Sequence, residues 1–158
     1  MQIKAVFKHA VIFNAMNAPA KNRPVSTWML TGCGIWLVGL GFYFIVLRPP
    51  LLPEDPRFMG TTLAQIQADV SGLEEWLKRV FTVMGGFMAG TGVLTVFLAQ
   101  TALPARPRGA SWVIALSGVL TVGLMSATNF ALHSDFRWVL LVPALVWLAG
   151  LVTYIAGH

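Results

Sequence analysis

The chain is poor in charge, and the little it has avoids four long stretches. Charged residues make up 11% of its 158 residues, against about 25% in an ordinary soluble domain. The runs 27–47, 80–99, 112–132 and 138–157 hold no Asp, Glu, Lys, Arg or His. Coupled transport across a membrane usually relies on a carboxylate, histidine or arginine inside a span, because such a group binds and releases the driving ion. A haem held between helices needs axial histidines or similar ligands inside the bundle. Neither finds support in these runs. His9 and His158 are near the ends of the sequence, and His133 sits at the edge of the third run.

Cysteine is nearly absent as well. Cys33 is the single thiol, so no intrachain disulfide and no cysteine-based zinc or iron–sulfur site can form. Between Gly32 and Gly34 it reads as a packed thiol. No phosphate loop, HExxH or GxSxG occurs. His133-Ser134-Asp135 has catalytic residue types, but neighbours in a tight turn cannot form a relay. The basic residues form no patch and have no interleaved aromatics, which argues against nucleic acid. No cofactor is expected.

What is present is apolar length. Hydrophobic residues make up 56% of the chain. Each uncharged run has about 20 residues, the number a helix needs to cross a hydrocarbon core of about 30 Å. The expectation is an all-α integral membrane protein. Its four transmembrane helices would form one antiparallel bundle over residues 1–158, with the lipid bilayer as first partner. Trp28, Trp76, Trp112 and Trp138 stand at or just before the starts of the runs, where indoles mark membrane interfaces. Trp36 and Trp147 lie mid-run and read as packing or lipid-facing. Pro143 is expected to bend the fourth run mildly.

The segments between the runs carry the remaining information. Residues 1–25 are expected to be a cytoplasmic segment, weakly amphipathic around Ile3, Phe7, Ala10 and Val11 or else a disordered tail. Ala18-Pro19-Ala20 looks like a cleavage site, but the apolar stretch before it is too short for a signal peptide. Residues 48–79 form an external connector. Its first part, with Pro53, Glu54, Asp55, Pro56 and Arg57, reads as a stiff, extended, turn-rich loop and a candidate interaction surface. Over 62–79, Leu63, Ile66, Val70, Leu73, Leu77 and Val80 recur at helical spacing. This predicts an amphipathic surface helix, capped by Thr62 and Gln65. Glu74–Lys78 and Glu75–Arg79 are candidate i,i+4 pairs on it.

With both termini cytoplasmic, the inner side holds Lys4, Lys8, Lys21, Arg23, Arg106 and Arg108 and no acid. The outer side holds Arg48, Arg57, Lys78, Arg79 and Arg137 together with all the acids, so Lys and Arg alone differ little between the sides. The basic residues before the first run favour this orientation, and a bacterial inner membrane is the expected location.

Beside the 53–57 loop, two further features are candidates for function. Glycines line three of the runs: Gly32, Gly34, Gly39 and Gly41, then Gly85, Gly86, Gly90 and Gly92, then Gly118 and Gly123. Gly86 and Gly90 form a GxxxG. In lipid, helices meet through small residues, so these are expected to pack helices within the chain or against a partner subunit. Asn129, His133, Asp135 and Arg137 are expected to form a polar cluster at the outer mouth. The best function reading is a non-enzymatic accessory, assembly or scaffolding component. The alternative is an oligomeric pore or carrier for a small neutral or lipophilic solute. A membrane enzyme acting on lipid or quinone would have to rely on the Asn129–Arg137 cluster.

Overall fold

The computed structural model describes residues 24–157. The expectations for residues 1–23 lie outside them. Among the described residues the regular structure is all helical. Four helical segments are long and apolar enough to cross a membrane: Val25–Leu47, Leu73–Thr101, Ala110–Ala131 and Arg137–Ala156.

The first consists of α1 (Val25–Phe42) and a wider π turn, Tyr43–Leu47. Two short helices follow, α2 (Glu54–Met59) and α3 (Leu63–Asp69). The second is α4, Leu73–Thr101. The third is α5 (Ala110–Gly118), a π turn over Val119–Gly123, and α6 (Leu124–Ala131). The fourth is α7, Arg137–Ala156, unbroken through Pro143.

Two local expectations are revised. The loop 53–57 is not extended but starts α2. Pro53 caps it and Pro56 sits in its first turn, where a helix has no use for a backbone N–H. Gly60, at φ 70°, ends it. The surface helix 62–79 is also not continuous. Thr62 caps α3 by accepting from the Gln65 amide at 3.3 Å, but the helix breaks at 70–72 and residues 73–79 belong to α4. Gln67 Nε2 donates to Glu74 Oε1 across that break at 2.7 Å, so Glu74 turns to Gln67 rather than to Lys78. Arg79 does pair with Glu75, at 2.8 Å.

The polar groups inside the long helices are mostly satisfied locally. Thr91, Thr95, Thr101, Ser117, Thr121 and Thr153 each donate to a carbonyl one turn earlier. Few side-chain hydrogen bonds cross between helices, among them Gln100 Nε2 of the second long helix donating to Thr31 Oγ1 of the first at 2.8 Å, and close packing does much of the rest. The closest approach joins α1 to α4. A Cβ placed on Gly34 would lie 2.9 Å from Gly92 O, and one on Gly92 would lie 2.5 Å from Gly34 O. Gly41 and Gly85 mirror this, with a Cβ on either 2.6 Å from the other's carbonyl oxygen. The two glycines on each helix are seven residues apart and pair in opposite order, so the helices run antiparallel backbone to backbone. Any side chain at these four positions would force them apart.

α7 packs on the other side of α1. Leu30 faces Gly150, and the Cys33 thiol donates to Pro143 O at 3.6 Å. The third segment then packs on α7. Trp147 is buried against Gly118, and its indole N–H donates to Ile114 O at 2.8 Å. Contacts thus run in a row, α4–α1–α7–third segment. α4 hardly touches α5 or α6, so the fourth edge expected of a closed bundle stays open.

The contact predicts an asymmetry between glycines. Gly92→Val should destabilise the chain by about 1–3 kcal/mol through overpacking. Gly86→Ala, at a position with nothing within 4 Å, should leave stability unchanged or raise it, by up to about 1 kcal/mol. Reversible unfolding in mixed micelles measures both.

Candidate functional site

The open edge of the row is a cleft of about 690 Å³. Ligand pockets commonly enclose about 300–1,000 Å³. α1 and α7 form its floor, through Trp36, Leu37, Leu40 and Leu140. α4 supplies one wall with Phe81, Met84, Phe87 and Met88, and the third segment supplies the other with Leu120, Leu124 and Met125. Several of these side chains are exposed, Phe87 by 76%. Methionine and aromatic rings make an adaptable apolar lining. Both π turns border the cleft, contributing Tyr43 and Phe44 from one and Leu120 and Thr121 from the other. Such turns are rare and recur at functional sites.

One end of the cleft is charged. Arg48, Glu54, Asp55 and Ser134 line it. Arg48 follows the first π turn, where its amide closes the turn on Tyr43 O. Its guanidinium lies over Phe81, with Cζ 3.5 Å from the ring centroid and Phe44 at 5.2 Å. Nη1 donates to Pro49 O at 3.1 Å and Pro50 O at 3.5 Å. Burial pushes the Arg48 pKa down, and the nearby Asp55 and Glu54 carboxylates oppose that shift.

α2 covers this end and is tied to the turn between the last two helices. Ser134 is 2% exposed, and its hydroxyl donates to Glu54 Oε1 at 2.6 Å. It also accepts from the Phe136 amide at 3.2 Å. Arg57 and Asp135 add an exposed ion pair at 3.7 Å, worth little by itself. Asp55 Oδ2 accepts from the Leu52 amide at 2.7 Å and holds the chain's approach to α2.

The four residues expected to form one polar cluster go separate ways. Asn129 lines the cleft and donates to Met125 O in its own helix. His133 is exposed at φ 52°. Asp135 reaches Arg57, and Arg137 lies 6.0 Å from the Trp138 ring. No hydrogen bond or ion pair joins any two of them. The junction at this end is instead Ser134 with Glu54. Sequence reading weighs Ser134 only as part of a His133-Ser134-Asp135 relay and misses its pairing with Glu54.

The candidate glycines also divide. Gly34, Gly41, Gly85 and Gly92 form the α1–α4 contact, and Gly118 receives Trp147. Gly123 meets only its own helix at Gly118. Gly32, Gly39, Gly86 and Gly90 have nothing within 4 Å, so the GxxxG of α4 faces away from every packed neighbour. Among the described residues no group of His, Cys, Asp and Glu could hold a metal. Compared with protein-family profiles, curated proteins and solved structures, the chain matches none.

Ser134→Ala removes the donor that holds Glu54. Leaving a half-buried carboxylate without it should cost about 1–3 kcal/mol locally. Hydrogen exchange should rise over residues 52–60 and stay unchanged in α1 and α4.

Proposed function

We propose that the chain is a four-span integral membrane protein of a bacterial inner membrane, without chemistry of its own, that takes a lipophilic molecule from the bilayer into its lateral cleft. One observation carries the reading: the cleft is apolar along its depth, charged at one end and open on the side where α4 and α6 do not meet. A water-soluble ligand would waste the aromatic and methionine walls. A wholly apolar one would lay hydrocarbon against the charged groups of Arg48, Glu54 and Asp55. An amphiphile satisfies both regions, and the open edge gives it a way in from the hydrocarbon.

The proposed topology places both termini in the cytoplasm. The charged end of the cleft, with α2, α3 and the 132–136 turn, is then external. α4 has 29 residues, about 43 Å at about 1.5 Å per residue, against a core of about 30 Å. Its charged first turns, with Glu74, Glu75, Lys78 and Arg79, then project beyond the core. Met59→Cys should react with a membrane-impermeant maleimide on intact cells, and Arg108→Cys only after permeabilisation. Buried Cys33 should give little background. The opposite pattern would invert the topology.

A second reading is favoured by the open glycines. Gly32 and Gly39 on α1, and Gly86 and Gly90 on α4, leave backbone surface that another helix could approach. An accessory or assembly role, with a partner subunit or a second copy seated there, would use it. A complex of fixed mass in mild detergent, lost with Gly86→Leu, would support that role.

The cleft reading is tested by native mass spectrometry of the protein extracted in mild detergent. The chain should carry bound lipophilic molecules, and Leu124→Trp, which fills the cleft from an exposed wall position, should release them. A wild-type chain of bare mass would contradict the reading.

A further inference from the structure

The charged end of the cleft holds both signs of charge close together but unpaired. Arg48 holds its guanidinium over the Phe81 ring, and a guanidinium carries five N–H donors. Nη1 is engaged by backbone carbonyls, while Nε and Nη2 have no acceptor among the described residues. Asp55 and Glu54 are half-buried at the same end. Each uses one oxygen, toward Leu52 N and Ser134 Oγ respectively. Neither lies within 4 Å of Arg48 or of any other described cation. Yet both act electrostatically on Arg48. A guanidinium and two carboxylates therefore share one half-buried mouth with a gap between them.

That gap selects among headgroups. A simple anion would satisfy Arg48 but meet two carboxylates. A simple cation would satisfy the carboxylates and leave Arg48 unpaired. A zwitterion with a phosphate at one end and an ammonium at the other answers both. The ammonium should be primary, because its N–H groups can donate to Asp55 and Glu54, whereas a quaternary ammonium has none. Building on the proposed cleft function, we infer that the cleft binds a phospholipid with an ethanolamine-type headgroup, phosphate on Arg48 and primary ammonium on Asp55 and Glu54, its acyl chain lying along the apolar walls.

The test is a competition among three phospholipids of identical acyl chains, with ethanolamine, choline or glycerol headgroups. They are offered in equal amounts to the full chain in mild detergent and read by native mass spectrometry. The ethanolamine lipid should be retained about tenfold over the choline lipid, equivalent to about 1.4 kcal/mol, and over the glycerol lipid. Asp55→Asn keeps an oxygen for the Leu52 amide and should erase the preference over choline while lipid is still bound. Arg48→Gln should lower retention of all three. The wild-type competition decides the inference even if a variant fails to fold. Equal retention of the three, or preference for the glycerol lipid, overturns the headgroup assignment and leaves the cleft reading standing. No retention of any lipid overturns the cleft reading itself, and the headgroup assignment with it.

Discussion

The contact of α1 with α4 is the constraint from which the rest follows. Two glycines on each helix, seven residues apart, let the backbones touch at Gly34–Gly92 and at Gly41–Gly85. So close an approach gains dispersion along the whole contact. The contact draws α4 against α1 and fixes its register. α1 in turn uses its Leu30–Cys33 side for α7, and α7 uses Trp147 for the third segment. α1 and α7 each pack against two neighbours in the row, while α4 and the third segment each pack mainly against one. Nothing comparable joins α4 to α6, and the cleft is what remains.

The charged end follows from the same arrangement. The first helical segment ends in a π turn that delivers Arg48 to the top of the cleft, where Phe81 of α4 receives it. Phe81 is one turn from Gly85, so the glycine contact also sets the distance between ring and guanidinium. The connector then returns over the cleft as α2 and is fastened to the far hairpin by Ser134 and Glu54. Charges that would be costly inside an apolar helix sit at its end instead.

Much of this was legible in the sequence, and the rest was hidden for physical reasons. Length and absence of charge located the four long helices, because nothing else in a chain of this size needs 20 uncharged residues in a row. The choice of glycines was not legible. On α1, Gly32 and Gly39 share the seven-residue spacing of Gly34 and Gly41, so periodicity offers two equivalent stripes. On α4 the GxxxG of Gly86 and Gly90 drew attention from Gly85 and Gly92, and only the partner decides which stripe is used. Pro53 and Pro56 suggest a break where α2 forms, yet both fall where a helix start tolerates proline. The pairing of Ser134 with Glu54 spans 80 residues, a separation that local patterns cannot encode.

The central claim is that α4 is held to α1 while its other side stays open. In a Cys33→Ser background, cysteines at Val38 and Ala89 lie between the paired glycines on the facing stripes, and cysteines at Phe87 and Leu124 stand on opposite walls of the cleft. Mild oxidation in native membranes should join the first pair directly. The second pair should join only through a long bifunctional reagent. Direct disulfide formation between residues 87 and 124, with none between 38 and 89, would contradict the account.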